Sequence, residues 1–245
     1  MSDLGLIILV VLFFVTSIVG VVTGSNSLIT VPVMFQFGIE EKRAIATNMF
    51  GLTFMAIGAT IPFIRQGKIE PRKLTPLIVL TVVGSALGAM LVGYITNQSI
   101  KLIVSIAMFV VVAFTLLRSG PGKSASIPTV GYIATFFLAI YGGLYSGGYV
   151  TILTAAFVAF LGMDYAESVG STKFVNVFSS GVATLVFVWQ GLVDYRLGAI
   201  LAVTMFVGAY VGAHYAAKMN EVWLKRIFLA TVVLLAIKTL YDFAA

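Results

Sequence analysis

The sequence predicts an all-α polytopic membrane protein, and two observations lead to that prediction. Of its 245 residues, 60% are hydrophobic and only 10% are charged, whereas soluble domains are about half apolar and about a quarter charged. The apolar stretches are also continuous and about twenty residues long, which is the length that an α-helix needs to cross a bilayer. A transmembrane β-barrel would instead show alternating strands of about ten residues. We therefore expect a multi-pass protein of the cell (inner) membrane.

The first part of the chain predicts four long helices and one short one. The long apolar stretches lie at about 4–24, 44–64, 74–96 and 98–117. The first is expected to be a retained helix, because it lacks the basic start and the small-residue cleavage site of a signal peptide. The apolar segment 28–38 would be about 17 Å long as a helix, which is too short to cross about 30 Å of hydrocarbon. We expect a broken or re-entrant helix there.

The second part of the chain follows the same order. Its apolar stretches predict long helices at about 128–146, 167–189, 195–217 and 222–243, and a short piece at 149–162. The segment 119–127 is rich in Gly, Pro and Ser, as is typical of a linker. It separates an N-terminal unit, residues 1–118, from a C-terminal unit, residues 128–245.

The two units match when the sequence is shifted by 123 or 124 residues. Glycines and other residues then coincide, namely Gly20 with Gly143, Gly24 with Gly147, Phe50 with Phe174, Gly84 with Gly208, Gly88 with Gly212 and Lys101 with Lys225. The sequence therefore predicts two homologous repeats, each with four long transmembrane helices and a short broken or re-entrant helix after the first. Internal repeats are typical of secondary transporters, whose substrate site lies at the repeat interface.

The relative orientation of the two predicted repeats stays open. If the short pieces do not cross the membrane, each repeat has four spans, the repeats are parallel, and basic residues divide almost evenly between the two faces. If the short pieces cross, the repeats are inverted and most basic residues share one face, which the positive-inside rule favours. The length of the short pieces opposes that second arrangement.

A glycine-containing cluster follows the first helix of each predicted repeat. The two clusters are Thr23-Gly24-Ser25-Asn26 and Ser146-Gly147-Gly148. Glycine permits sharp breaks in the backbone, and broken backbone at membrane depth persists only where protein or water satisfies its polar groups. The N–H groups that open the following short helix favour anions. One cluster alone fits close helix packing equally well, but two in matching positions favour a binding site.

A lysine lies inside the helix predicted at 167–189. Lys173 is about two turns from its start, where a charge is costly and should face the protein interior or a water-filled cavity. Asn176 is three residues further on and shares its helical face, and Thr172 adds a hydroxyl. Thr47 and Asn48 occupy the matching region of the helix at 44–64, but they are uncharged. These residues suit an oxyanion, and the alternative is a lysine that snorkels to the membrane edge.

The sequence also limits other chemistries. Cysteine is absent and His214 is the single histidine, so thiolate and His-rich metal sites are excluded and no cofactor is expected. The net charge of +6 indicates basic loops that set membrane topology rather than nucleic-acid binding. No ATP-binding motif is present. A proton or sodium ion remains open as the coupling ion, and the oligomeric state is not predicted.

The pattern resembles the TauE/SafE family of sulfite exporters, also called the toluene sulfonate uptake permease family. The resemblance rests on the two glycine-broken helices, the two short pieces, Ala-Thr-Asn at 46–48, and Ser-Thr-Lys-Phe-Val-Asn at 171–176. The first glycine cluster and Met49 depart from the fuller glycine run and the basic residue found in many members. The resemblance implies transport of sulfite, sulfonates and related organosulfur or carboxylate anions, driven by ion gradients.

The favoured interpretation is a secondary anion transporter, not an enzyme, that works by alternating access. We expect the anion to bind near the midplane, between the broken helices and the helices that contain Asn48 and Lys173. Two alternatives come from other classes. One is an intramembrane serine hydrolase that uses Ser146 and His214, which requires those side chains to lie within hydrogen-bond reach. The other is a non-transporting membrane scaffold, which predicts that no polar cavity lies at the repeat interface.

Overall fold

The computed structural model describes residues 3–24, 26–100, 102–103, 127–220, 223 and 226. Eight α-helices have both ends within these residues: α1 (Asp3–Thr23), α2 (Asn26–Gln36), α3 (Glu41–Arg65), α4 (Thr75–Tyr94), α5 (Pro128–Leu144), α6 (Tyr149–Phe160), α7 (Tyr165–Trp189) and α8 (Tyr195–Ala216). A 3-10 turn, Pro71–Leu74, leads into α4. No β-strand is found in the described ranges, and the all-α prediction is confirmed for them.

Two predicted helices and the predicted linker fall largely outside the described residues. Of the helix expected at 98–117, residues 98–100, 102 and 103 are described and are helical. Of the helix expected at 222–243, positions 223 and 226 are described and are helical. Of the linker at 119–127, only the last residue is described.

Five helices of the described part are long and apolar enough to cross a membrane. They are α1, α3, α4 with its preceding 3-10 turn, α7 and α8. The short helices α2 and α6 have 11 and 12 residues, which correspond to about 17 and 18 Å of helix. The predicted short pieces are therefore present as separate helices, and each has too few residues to cross the hydrocarbon core by itself.

Capping residues and glycines set most of the helix ends. Asp164 and Asp194 accept hydrogen bonds from the backbone N–H groups of Glu167 and Leu197, at 2.7 and 3.0 Å, and so cap the starts of α7 and α8. Glycines with φ near +70° follow the ends of α1, α2, α3, α6 and α7, a conformation in which glycine has no steric penalty. The helix α2 begins two residues earlier than predicted, because the polar Asn26 and Ser27 form its first turn.

Close backbone approaches connect the beginning of each predicted repeat to the other one. A Cβ atom at Gly84 in α4 would lie 2.8 Å from the carbonyl oxygen of Phe136 in α5, and one at Gly208 in α8 would lie 2.8 Å from that of Phe14 in α1. A side chain at either glycine would clash with the neighbouring backbone. The helices α4 and α8 therefore pack tightly on α5 and α1, respectively, as small residues permit in membranes.

The helices α3 and α7 lie in the centre of the molecule. They pack against each other, and α3 also packs on α8 while α7 packs on α4. Large apolar side chains on the outer faces of α1, α4 and α8 are exposed, among them Ile7, Val79 and Val203, as expected of surfaces that contact lipid. The core between α3 and α7 is where the two helix breaks, α1–α2 and α5–α6, come together.

Candidate functional site

The two helix breaks contact each other directly. The Thr151 hydroxyl at the start of α6 donates a hydrogen bond to the carbonyl oxygen of Thr23 at the end of α1, at 2.6 Å. The Tyr145 hydroxyl, between α5 and α6, donates to the carbonyl oxygen of Ser27 at 3.0 Å. A Cβ atom at Gly24 would lie 2.7 Å from the Thr151 nitrogen. The broken backbone is thus enclosed in protein, as non-helical backbone at membrane depth must be.

A small cavity opens beside the first break, between α1, α2, α3, α6 and α7. It has a volume of about 20 Å³, which is room for about one water molecule. Its polar lining comes from Asn26, Ser27, Ser146, Lys173 and Asn176, its glycines are Gly20 and Gly24, and its apolar lining is Leu52, Met55, Ala56 and Val150. Five of the eleven predicted binding residues therefore line one cavity, namely Gly24, Asn26, Ser146, Lys173 and Asn176.

Lys173 is the one basic side chain among the residues that line this cavity. Its side chain is buried, with 4% exposed, so it does not snorkel to the membrane edge. Its Nζ donates a 2.7 Å hydrogen bond to the carbonyl oxygen of Gly20, in the last turn of α1, where helix carbonyls have a partial negative charge. In the described part of the chain, ion pairs form only on the surface, between Glu40 and Arg43 and between Glu70 and Lys73. Lys173 has no carboxylate partner there.

Two asparagine amides face the same cavity. The Oδ1 atoms of Asn26 and Asn176 are buried without a hydrogen-bond partner in the described residues. The Asn26 Nδ2 donates to the Met55 sulfur at 3.4 Å, and a thioether is a weak acceptor. A terminal amide that rotates by 180° exchanges its acceptor and its donors. A rotation of either amide would therefore put N–H donors where its unpartnered oxygen now lies.

A row of hydrogen-bonded side chains begins at the cavity lining and continues behind it. The Ser27 and Ser146 hydroxyls are 2.8 Å apart, and the Asn48 Nδ2 donates to the Ser27 hydroxyl at 2.9 Å. The Asn48 Oδ1 in turn accepts from the Thr30 hydroxyl at 2.9 Å. Asn48 was predicted to bind the anion, but it lies one residue behind the cavity, where it orients Ser27.

Two predicted threonines point elsewhere. The Thr172 hydroxyl lies 3.0 Å from that of Thr154 in α6, because adjacent helix residues point about 100° apart and Lys173 occupies the cavity side. The Thr47 hydroxyl accepts from the backbone N–H of Asp194 at 3.0 Å, at the start of α8. Both residues connect helices rather than line the cavity.

The second glycine cluster does not line the cavity beyond Ser146. The Gly147 carbonyl accepts a hydrogen bond from the Tyr141 hydroxyl, and Gly148, with φ of +77°, is the N-cap residue of α6. Ser25, which was also predicted to bind, lies outside the described residues. At the second break, the backbone therefore turns the chain and accepts a hydrogen bond from a tyrosine hydroxyl.

Sequence reasoning missed the apolar side of the cavity. Leu52, Met55 and Ala56 follow Asn48 on one face of α3, at the spacing of successive helical turns. That periodicity was the available signal, since a helix face that begins at a predicted site residue continues along it. Gly20 and Ser27 flank the first cluster in the sequence and line the cavity as well.

The arrangement does not bring together the two residues that a serine hydrolase needs. Ser146 is buried against Ser27. His214 is exposed at the end of α8, and its Nε2 lies 2.9 Å from the Nζ of Lys218. The geometry therefore gives the hydrolase alternative no support.

Comparison with known proteins identifies relatives over nearly the whole chain. The family model described as sulfite exporter TauE/SafE matches residues 8–239. The probable membrane transporter protein ORF9 of Sinorhizobium sp is 26% identical, and the match covers 99% of this chain and 96% of that protein. The probable membrane transporter protein YfcA of Escherichia coli K12 is also 26% identical, over 96% of this chain and 91% of its own.

A third relative, the probable membrane transporter protein of Haemophilus influenzae, is 24% identical and covers 98% of this chain and 97% of its own. No solved structure matches the chain significantly. The relatives are named as transporters rather than enzymes, and the five candidate spans agree with a multi-pass membrane protein. The chain therefore belongs to the sulfite exporter TauE/SafE family of membrane transporters.

Proposed function

We propose that this transporter carries small organosulfur or carboxylate anions, such as sulfite or sulfonates, and binds them beside Lys173 in a conformation in which the cavity is wider than about 20 Å³. The observation that supports the proposal most strongly is a buried ammonium group whose hydrogen-bond acceptor is the neutral carbonyl of Gly20. Buried charges in proteins are normally paired. A bound anion would be the partner that the described chain does not supply.

The energetic argument concerns the cost of the lysine. A charged side chain at the centre of a membrane helix costs about 2.5–3.5 kcal/mol on insertion scales. The carbonyl of Gly20 offsets part of that cost, and an anion would offset more because it has a full negative charge. Binding would thus draw free energy from the relief of an uncompensated charge.

The other cavity residues would orient the anion. The amides of Asn26 and Asn176 would donate N–H groups, and the paired hydroxyls of Ser27 and Ser146 would donate at least one O–H. The helix α2 begins at Asn26, so the positive end of its dipole adds to the field at the cavity. These are directional neutral donors around one charge, which suits a monovalent oxyanion.

We further propose that the two predicted repeats exchange access to the cavity between the two membrane faces. Two observations support a common architecture for the two parts. Residues coincide when the sequence is shifted by 123 or 124 positions, and Gly84 approaches Phe136 as closely as Gly208 approaches Phe14. In other transporters with repeats, one part rocks against the other around a central site. We also propose that a gradient of protons or sodium ions drives the transport.

Replacement of Lys173 by methionine tests the proposed site. In purified Lys173→Met protein, affinity for sulfite, methanesulfonate and acetate should fall by at least about 30-fold in calorimetry, because loss of one partner of a buried charged pair costs about 2–5 kcal/mol. The melting temperature without anion should stay the same or rise, since an unpaired buried charge is removed. The matched control is Lys218→Met, an exposed lysine, which should bind as the wild type does.

Wild-type affinity in a folded Lys173→Met variant would exclude this lysine as the anion site. Counterflow of labelled sulfite or methanesulfonate in reconstituted vesicles tests the carrier mechanism, because a continuous channel does not support counterflow. Equal fluxes with and without unlabelled anion inside the vesicles would contradict alternating access.

A further inference from the structure

One methionine occupies the position where a larger anion would have to fit. Met55 lines the cavity from α3, and its Cε lies 3.1 Å from the point where a Cβ atom on Gly20 would stand. Gly20 is the residue whose carbonyl oxygen holds the Lys173 ammonium. The Met55 methyl group is thus the apolar neighbour of the proposed charge site.

The Met55 side chain also accepts a hydrogen bond from the Asn26 amide. The Met55 sulfur accepts the Asn26 Nδ2 at 3.4 Å, while the Asn26 Oδ1 has no partner in the described chain. Methionine is unbranched and flexible, and it fills irregular gaps in a core. A shift of Met55 would enlarge the cavity and release a donor for the anion at the same time.

The rest of the α3 wall has the same character. Leu52 and Ala56 are the neighbours of Met55 on this helix face, and Val150 faces them from α6. The polar lining comes from α7 and from the two breaks. An anion whose charged group contacts Lys173 would therefore place its remaining atoms against apolar side chains.

We infer that Met55 sets the size limit of the transported anion and that the substituent of the anion packs against the α3 wall. This inference rests on the proposed function, because it assumes that the anion occupies the Lys173 cavity. It goes further in assigning an orientation to the anion and a selectivity role to one residue that has no charge.

Two substitutions with opposite effects on space test the inference. Met55→Ala removes three heavy atoms and should extend binding to longer alkyl chains. Gly20→Ala adds a methyl group 3.1 Å from both the Met55 Cε and the Asn26 Cβ, and should reduce the space. Affinities of purified protein for sulfite, methanesulfonate, ethanesulfonate and 1-propanesulfonate are measured by calorimetry.

The expected result is a change in the ratio of affinities rather than a uniform loss. Each methylene that Met55→Ala newly admits should improve affinity relative to sulfite by about tenfold, and Gly20→Ala should shift the ratio toward sulfite. The matched control is Met205→Ala. Met205 is a fully buried methionine that packs on Gly51 of α3 but does not line the cavity, so its removal should leave the ratios unchanged.

The outcomes separate the two proposals. If the wild type binds these anions and Lys173→Met does not, but Met55→Ala leaves the affinity ratios as they are, the size limit lies elsewhere and the inference is wrong. If Lys173→Met binds as the wild type does, the proposed site itself is wrong. Should Gly20→Ala fail to fold, Met55→Leu takes its place, and its branched side chain should shift the ratio toward sulfite.

Discussion

The two helix breaks have matching positions in the sequence, but one contains a cavity and the other is filled by side chains. At the first break, Gly20, Gly24 and Asn26 leave a cavity beside the ammonium of Lys173. A shift of 123 residues places Asn26 on Tyr149, and at the second break that ring packs against Gly142. Small residues and amides keep one break open, and aromatic rings close the other.

Tyr145 contributes to the same closure. Its ring lies against Gly147, where a Cβ atom would overlap it, and its side chain is fully buried. The comparison shows that glycines at a helix break do not by themselves indicate a binding site. Whether the space beside the glycines is open to a ligand depends on the side chains that pack against them.

The charge is distributed in the same unequal way. A shift of 124 residues places Met49 on Lys173 and Leu52 on Asn176. The lysine belongs to the second part of the sequence, yet its Nζ bonds to Gly20 in the first. The cavity is therefore assembled from both parts, with the backbone break from one and the cation from the other.

The strongest test of this difference between the two breaks replaces Met49 with lysine. Met49 is buried, with 1% exposed, and does not line the cavity beside Lys173, so Met49→Lys would place a charge in the packed interior. The variant should lose about 2.5–3.5 kcal/mol of stability, measured by denaturant titration in micelles, and should gain no second anion site. A stable variant that binds two anions per chain would show that both breaks are open to ligand.

A medium effect is expected from the hydroxyl of Tyr145. Tyr145→Phe removes the 3.0 Å hydrogen bond to the Ser27 carbonyl oxygen and leaves that acceptor with one partner fewer in a buried site. The free energy of unfolding should fall by about 1–2 kcal/mol. An unchanged stability would mean that this bond between the breaks contributes nothing.

The smallest effect is expected from the neighbouring tyrosine. The Tyr149 hydroxyl is buried near the hydroxyls of Thr81 and Ser179 but makes no hydrogen bond of good geometry in the described residues, so Tyr149→Phe removes a poorly satisfied group while the ring still fills the break. The change in stability should be within about 0.5 kcal/mol of zero or slightly favourable. A loss as large as that of Tyr145→Phe would show that the hydroxyl has a partner such as bound water.

Local sequence signals predicted most of the described fold. Apolar length and polar turns placed the ends of the long helices within about three residues of those observed, the largest difference being α3, which starts at Glu41 rather than at 44. That helix starts earlier than predicted because its first turn is charged and gives no apolar signal in the sequence. The short helices were predicted as well, since their length alone distinguishes them from the spans.

The site was only partly predictable, because its composition depends on packing between distant helices. A lysine inside an apolar helix is visible in the sequence, but the acceptor that it finds, Gly20, is 153 residues away. Neighbours such as Thr172 were grouped with Lys173 by proximity in sequence, although a helix turns them to another side. The tyrosines that close the second break read as ordinary apolar helix residues.

The contacts around Asn26 and Ser27 differ in strength from one side to the other. Toward α6, two hydrogen bonds with good acceptors, from Thr151 to Thr23 and from Tyr145 to Ser27, join the breaks. Toward α3, Ser27 accepts a 2.9 Å hydrogen bond from Asn48, but the Asn26 amide contacts only the weak acceptor of Met55, its sulfur. Separation from α6 would cost about 1 kcal/mol for each bond, whereas a methionine needs only a rotamer change. If an anion binds in this cavity, its least costly exit would therefore run past Met55.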